Sequence, residues 1–376
     1  MIQQKILGLF VFFGGMLLSC TSKSEKVKDI RAHDFKIPTE IAAVENMGWR
    51  VQSEGGMDFI TYIDTASNLY LFDVMRNRVV DTVKLQMSET GIDFNYYPRR
   101  VYYHSKDSIF ILPDDGSRSI FMVNARGEIE RKWDIDLKVD YPYLVSGYHW
   151  NPLCFKDGKL IVRFIPNINF NNNRNTFFNI PPDLVINTNN DSIWRIGKWP
   201  KKYRTQNFNA AQTHRIVLSN REVQIIYSHD ADHNLYVFNE KDFKGKVTAK
   251  SNYISEFDIY SDDSLDNIAY TMRYLSTAPR YKDIFYDAQR KEYYRVALHR
   301  TNYIDKETNR KKRGFDRPWS IIILDSTFEK IDEVKFDPDE YRAGPLLMTS
   351  EGLWIPRTSE NGDFYNYSFS NFNQLR

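Results

Sequence analysis

Asn68-Leu-Tyr-Leu-Phe-Asp73 decides the fold, because the chain returns to the same pattern. The full unit is Asp, three residues, Asn or Ser, four apolar or aromatic residues, then Asp or Asn. It runs Asp64 to Asp73, Asp115 to Asn124 (ending Ser119-Ile-Phe-Met-Val-Asn124), Asp230 to Asn239 (Asn234-Leu-Tyr-Val-Phe-Asn239) and Asp316 to Asp325 (Ser320-Ile-Ile-Ile-Leu-Asp325). Looser copies lie at Asn179 to Thr188 and Ser359 to Ser368, giving six units. A fixed unit that recurs along a chain is the signature of a repeat architecture, in which each copy covers its neighbour.

The flanks of each copy repeat as well. Behind it comes a polar turn and an alternating strand, as in Val79 to Leu85, Glu128 to Ile135, Ser192 to Trp199 and Lys330 to Phe336. Ahead of it comes a tight hairpin. Val101 to His104 turns at Ser105-Lys106-Asp107 into Ile109 to Leu112, Leu153 to Phe155 turns at Asp157-Gly158 into Leu160 to Phe164, and Ile216 to Leu218 turns into Val223 to Tyr227. Ile284 to Tyr286 leads into Tyr293 to Leu298, and Leu346 to Met348 into Leu353 to Pro356. Each unit is therefore a four-stranded antiparallel meander, with strands a, b, c and d. Six such meanders, spaced about 45 to 85 residues apart, predict an all-β fold: a six-bladed β-propeller over residues 34–376. The last unit runs out after strand c, so the N-terminal segment Asp34 to Val44 is expected to supply its outer strand and close the ring. One short helix, Ser264 to Leu275, is expected in a long interblade crossing, with Leu265, Ile268, Met272 and Leu275 on one stripe.

The first 19 residues form a signal peptide: Lys5 precedes an uncharged run from Ile6 to Leu18 that is short for a bilayer span. Leu17-Leu18-Ser19-Cys20 resembles the lipobox of bacterial lipoproteins, which implies lipid on Cys20 and an outer-membrane lipoprotein facing the periplasm or the cell surface. Residues 20–33 then serve as a polar tether. With Cys20 lipidated, Cys154 has no thiol partner and no disulfide is expected. The lipobox, the Tyr97-Pro-Arg-Arg100 run, Asp107-Ser-Ile-Phe-Ile-Leu112 and the aromatic strands together resemble an uncharacterised family of Bacteroidota lipoproteins with TolB-like six-bladed propeller domains. That family supplies no activity to carry over.

The chain of 376 residues balances 51 Lys+Arg against 49 Asp+Glu, which argues against a nucleic-acid partner or a polybasic membrane surface. The sequence lacks the motifs of nucleophilic or metal-dependent hydrolases and has no phosphate-cradling glycine loop, which argues against an enzyme without deciding the question, and no cofactor is expected. His229-Asp-Ala-Asp-His233 invites a metal reading, but Asp230 aligns with Asp64, Asp115 and Asp316, where no histidines flank it. These aspartates are expected to shape the b to c turns, and no metal is expected. An EF-hand loop is excluded by Leu235 and Lys241 at the glycine and glutamate positions.

In a propeller the b to c turns and the d to a crossings open on one face. The long insertions, Asn167 to Asn179 and Thr301 to Pro318 with its Arg310-Lys-Lys-Arg313 run, fall on that face. The starts of the inner strands would ring the channel there with Tyr97, Arg99, Arg100, His149, Trp150, His214, Arg215, Arg280 and Tyr281. Arginines beside aromatics suit anionic or sugar-like ligands. The leading expectation is a membrane-anchored, non-catalytic propeller that binds a protein, peptide or glycan on its long-loop face. The rivals are a carbohydrate- or peptide-active enzyme with acidic residues at the channel mouth, and a structural subunit of an outer-membrane complex.

Overall fold

The structure is a computed structural model that describes residues 33–35, 51–54, 56–63, 68–85, 101–112, 119–135, 143–146, 153–166, 168, 173–209, 214–218, 224–262, 267–307, 309–312, 314–358 and 367–376. The first strand, β1 (His33–Phe35), belongs to the last blade and is treated with it. Blade one is β2 (Val51–Glu54), β3 (Met57–Ile63), β4 (Asn68–Asp73) and β5 (Arg78–Lys84); blade two is β6 (Val101–Ser105), β7 (Ser108–Ile111), β8 (Ser119–Val123) and β9 (Ile129–Asp134). Blade three contains β10 (Tyr143–Ser146), β11 (Cys154–Lys156), β12 (Lys159–Pro166), β13 (Asp183–Asn187) and β14 (Ile193–Ile196). Blade four is β15 (His214–Leu218), β16 (Gln224–His229), β17 (Asn234–Asn239) and β18 (Asp242–Thr248); blade five is β19 (Arg280–Asp287), β20 (Glu292–Leu298), β21 (Trp319–Leu324) and β22 (Lys330–Phe336). Blade six has β23 (Leu347–Thr349), β24 (Gly352–Pro356) and β25 (Tyr367–Asn371), with β1 as its fourth strand. All pairings are antiparallel, and the six-bladed propeller stands as expected.

Both faces of each blade are apolar and each is covered by the next blade. Six hydrophobic seams result, one per neighbouring pair: Leu69, Leu71 and Ile109 between blades one and two, Phe110, Trp133 and Leu160 between two and three, Ile161, Val185 and Tyr227 between three and four. Ile226, Tyr281 and Ile322 fill the fourth seam, Val296, Trp319 and Ile355 the fifth, and Ile60, Phe72 and Trp354 the sixth. Cys154 lies buried in the third as a free thiol.

The ring closes in two places. β1 pairs with β25, His33 opposite Phe369 and Phe35 opposite Tyr367, so the N-terminal segment supplies the missing outer strand. The strand begins at His33 and ends at Phe35, shorter than the expected Asp34 to Val44, and residues 36–50 lie outside the described residues. The second closure is a latch: Ser350 in the a to b turn of blade six donates its N–H and its hydroxyl to the buried Asp58 carboxylate of blade one, at 2.9 and 2.6 Å.

Several expectations shift in register. Strand c of blade six is Tyr367–Asn371, so the Ser359 to Ser368 copy was placed too early in the chain. The inner edge of blade three has two pieces, β10 against the far end of β12 and β11 against its start, where a single strand around Leu153 to Phe155 was expected. The repeat aspartates also divide differently. The residue that closes each unit is the one that shapes a turn: Asp73 accepts from Arg76 N, Asn124 from Arg126 N and Glu128 N, Asn187 from Asn189 N, and Asp325 from Thr327 N and Glu329 N. In the blade-four b to c turn Asp232 shapes the backbone, its Oδ1 accepting from Asn234 N at 3.0 Å. Asp64 and Asp115 lie outside the described residues.

Two further features recur at equivalent positions without any sequence signal that stands out. Each c to d turn of blades one to five holds one left-handed residue: Asn77, Gly127, Asp191, Glu240 and Phe328. Strand d of blades one, two, four and five then carries a β-bulge near its start, leaving Val80, Glu130, Lys244 and Ile331 as extra residues against strand c. Bulges of this kind twist an outer strand away from edge-to-edge pairing.

Asn124 is buried and its side chain makes four hydrogen bonds, two accepted from backbone N–H groups and two donated to Glu128 and Glu130. Asn124→Ala is expected to cost about 1 to 2 kcal/mol, because the turn loses the local acceptor of two backbone N–H groups and the buried side chain loses all four of its hydrogen bonds. Urea unfolding measures it, and an unchanged midpoint would show that the closing Asn is decorative.

Candidate functional site

The face that carries the b to c turns and d to a crossings, hereafter the b–c face, holds a second aromatic core above the seams. Phe177 and Phe178 follow from a short helix, α1 (Arg174–Phe177), in the blade-three insertion; Trp199, Tyr203 and Phe208 come from the crossing between blades three and four; Ala231 comes from the blade-four turn. Phe178 meets Trp199 and Tyr203 edge-on, with ring centroids 5.2 and 5.4 Å apart. These insertions thus bury their own apolar side chains against one another.

Polar ties bind the same segments. The Asp262 carboxylate, in the crossing between blades four and five, accepts from Arg174 at 2.7 Å and from the Asn207 amide at 2.7 Å, joining three insertions at one group. Those donors hold its carboxyl below the usual carboxylate range. Tyr203 accepts from Ala231 N through its hydroxyl at 2.9 Å. A second helix, α2 (Ile268–Thr277), is capped by the Asn267 side chain, which accepts from Tyr270 N. It docks through Tyr270 and Tyr274, edge-on to Tyr260 at 5.2 and 5.1 Å, while the Tyr274 hydroxyl reaches Asp258 O at 2.8 Å.

The apolar stripe is not the face that docks: Ile268 is 79% and Met272 53% exposed, while Leu275 is half-buried. Tyrosines won the inner face because the site beneath supplies both rings and carbonyl acceptors, which an aliphatic stripe cannot use. The helix itself begins at Ile268, and Leu265 lies outside the described residues.

Two buried arginines fix the blade-four and blade-five edges of the platform. Arg295, in the otherwise apolar strand β20, spends all five N–H groups: Nε on Ser228 Oγ, Nη1 on the carbonyls of His233 and Ala249, Nη2 on those of His229 and Asp232. Its guanidinium lies 3.4 Å from the Tyr281 ring centroid. Burial pulls its pKa down to about 10, still charged at neutral pH. Arg317 donates to the carbonyls of Ser276, Thr277 and Ala278 at the C-terminal end of α2 and to that of His299. Those helix-end carbonyls carry the negative end of the helix dipole and lack intrahelical donors. Burial lowers the Arg317 pKa to about 9.

Of the channel residues expected from sequence, His214 and Arg215 begin β15 and Arg280 and Tyr281 begin β19, so their backbones stand at the b–c end of inner strands. Tyr97, Arg99, Arg100, His149 and Trp150 lie outside the described residues, as does Cys20. Tyr281 is fully buried between blades four and five, its hydroxyl accepting from Ser251 N at 3.0 Å and meeting His233 Nδ1 at 2.7 Å. It serves the seam. Arg280 is half-buried close to Gly314, and its charge adds to the burial that lowers the Arg317 pKa. His229 is buried with Nε2 on Lys198 O, and no group of metal-ligating side chains forms among the described residues. Within the basic run, Lys311 bridges Ile304 and Lys312 pairs with Asp305, which places these two lysines on the second arm of a small hairpin. The two arginines that organise the face, Arg295 and Arg317, stand within or beside mostly apolar strands, which is the signal by which the sequence could have shown them.

A six-bladed propeller whose long insertions are cross-tied into one platform is the class that fold and site define. Residues 97–335, more than half of the chain, match the family described as Domain of unknown function (DUF4221), and the chain belongs to that family. It is similar in fold to a crystal structure of a DUF4221 family member from Bacteroides vulgatus, with a TM-score of 0.68 at 19% identity over 87% of this chain and 92% of that one. A chain of a mitotic checkpoint complex gives a TM-score of 0.41 at 10% identity, covering 85% of this chain and 75% of its own. A quinohemoprotein alcohol dehydrogenase from Comamonas testosteroni gives 0.40 at 10% identity, covering 84% of this chain and 67% of its own. No functionally curated protein matches the sequence.

Replacing Arg295 by Lys leaves five acceptors to be served by three donors on a flexible stem. Arg295→Lys is expected to destabilise by about 3 kcal/mol or more, since breaking a buried, fully bonded charge is costly; chemical denaturation measures it, and a loss below about 1 kcal/mol would contradict the role. His299, hydrogen-bonded to Ser320 Oγ at 2.8 Å, has its pKa pushed from 6.5 to about 4, chiefly by burial. The unfolded chain therefore binds the extra proton, and the contribution of His299 is complete above about pH 6.5 and lost as pH falls toward 4. The melting temperature of the wild type minus that of His299→Gln should shrink between pH 7.5 and 4.5; a constant difference would show that His299 is not held neutral.

Proposed function

We propose that this protein is an exported lipoprotein, anchored through Cys20, whose propeller binds a protein, peptide or glycan on the b–c face without catalysing a reaction. The observation that carries the reading is the platform: the insertions of blades three to five are held rigid by a shared aromatic core, by Asp262 and by two saturated arginines, yet present Ile259, Ile268 and Met272 to solvent. Ordering long loops costs conformational entropy. A rigid surface with exposed apolar side chains and a polar surround is the usual form of a recognition site. Arg280 at the inner edge would add charge-assisted bonds for an anionic or sugar-like group.

Two measurements test the reading. Cys20→Ser should move the protein from the salt-washed membrane fraction to the soluble envelope fraction; retention in membranes would refute the anchor. Partners captured by crosslinking on cells should be lost at least tenfold in Ile268→Asp/Met272→Asp, as central interface residues act, with the melting temperature unchanged. Lys106→Glu on the opposite face should leave capture intact, and the reverse pattern would place the site on the wrong face.

A further inference from the structure

The seam between blades three and four ends, on the outer wall, in a cluster of aromatic rings and lysines. Trp194 of the outer strand β14 packs against the same core as Tyr236 and Phe238 of blade four. Phe243, in the outer strand β18, is 39% exposed and lies beside those two rings, with centroids 6.1 and 5.2 Å away. Three ammonium groups stand over this aromatic layer. Lys241 of blade four reaches across to Trp194 of blade three, and Lys198, just past β14, reaches back to Phe243 of blade four, each with Nζ 4.4 Å from the ring centroid. Lys246 Nζ lies 5.8 Å from the centre of the Tyr236 ring. Cation–π pairs thus cross the seam in both directions.

A ring attracts an ammonium through its quadrupole but leaves the charge and the N–H donors unspent. The carboxylates of the neighbourhood are already engaged: Glu240 pairs with Lys159, Asp242 with Lys244, and Asp157 acts on Lys156. Lys198, Lys241 and Lys246 are exposed, and none of them forms an ion pair among the described residues. Lys132 in blade two is the contrast, since it stands over Phe121 but is also taken by Asp134 at 2.8 Å. One more donor in the cluster lacks an acceptor. The Trp194 indole N–H is buried without a hydrogen-bond partner among the described residues, and Trp194 lines a small cavity with Lys156, Lys159 and Ile225.

We propose that this cluster is a binding site for an anionic polysaccharide, whose carboxylate or sulfate groups bridge Lys198, Lys241 and Lys246 on the outer wall of blades three and four. The unpaired cations are all lysines, compact charges without the planar fork that selects one anion geometry, which suits a repeated anion carried on a polymer. Each ring already carries an ammonium, so the cluster offers poor platforms for the base stacking that holds single-stranded nucleic acid. An acidic peptide would bring amide N–H groups that need acceptors, and the local carboxylates are spent on lysines. The rings hold the lysine stems in place beforehand, which lowers the ordering cost of binding. This site is separate from the b–c platform, does not rest on its partner, and adds a second ligand class.

Calorimetric titration of the full chain in detergent, with heparin oligosaccharides and with polygalacturonate at low salt, tests the proposal. At least one of the two should bind, and binding should weaken as salt screens the charges. Lys198→Met/Lys241→Met keeps the aliphatic stems on the rings and removes two charges; it should weaken binding at least about tenfold, with the melting temperature near that of the wild type. Trp194→Phe keeps a ring beneath Lys241 but removes the indole N–H, and should weaken binding roughly threefold. Lys132→Met in blade two and Ile268→Asp/Met272→Asp on the platform should leave binding as it is. Absence of binding to both polysaccharides, binding that survives both groove variants, or an equal loss in Lys132→Met or the platform variant would overturn the proposal. Tighter binding of poly-glutamate or of a thymidine oligonucleotide would overturn it as well, by assigning the cluster to a different polymer.

Discussion

A four-stranded sheet that is apolar on both faces has no stable existence in water by itself, and every other property of this chain follows from that constraint. Each blade covers one face of the blade before it and one of the blade after it, so the stack must return to its start. Apolar contact alone does not specify where it returns. The Asp58 latch to Ser350 and the pairing of β1 with β25 supply direction and register at the joint between blades six and one, where no covalent turn links strand c to its outer neighbour.

The propeller was legible because its signal is periodic and local. Asn68 to Asp73 and its copies carry a strand and the turn that ends it, and both are dictated by a few neighbouring residues. The register errors occur where that locality fails. In blade three the turn is shaped by Asn187, one residue before Thr188, to which sequence alignment gave the closing position. In blade six the closing Asn371 lies beyond a stretch that the repeat could not bridge. Bulges were invisible, since Val80, Glu130, Lys244 and Ile331 have nothing in common as residue types.

The site was legible only as a place. Long insertions could be assigned to one face from topology, but their packing depends on contacts between segments far apart in sequence, such as Arg174 and Asn207 meeting at Asp262. Helix α2 shows the limit most clearly. Its aliphatic stripe has helical spacing, and spacing says that a face exists without saying which face the protein covers. Tyr281 makes the converse point: it begins an inner strand as expected, but the guanidinium of Arg295 and the hydrogen bonds of Ser251 and His233 draw it into the seam. A lone arginine in an apolar strand is the better sequence clue, because a buried guanidinium must gather carbonyls from several segments and so marks where they converge.

Closure by the first strand also has a mechanical side. A chain held by its N-terminus transmits any pull to β1, and the pull acts along the strand, parallel to its partner β25. The hydrogen bonds lie across that direction, so they are loaded together in shear and do not open one at a time like a zipper. Tension applied through the N-terminus therefore meets the joint in its strongest geometry. If the joint does yield, the first part exposed is the edge of β25 in blade six, while the Asp58 latch, on separate strands, still holds blade six to blade one.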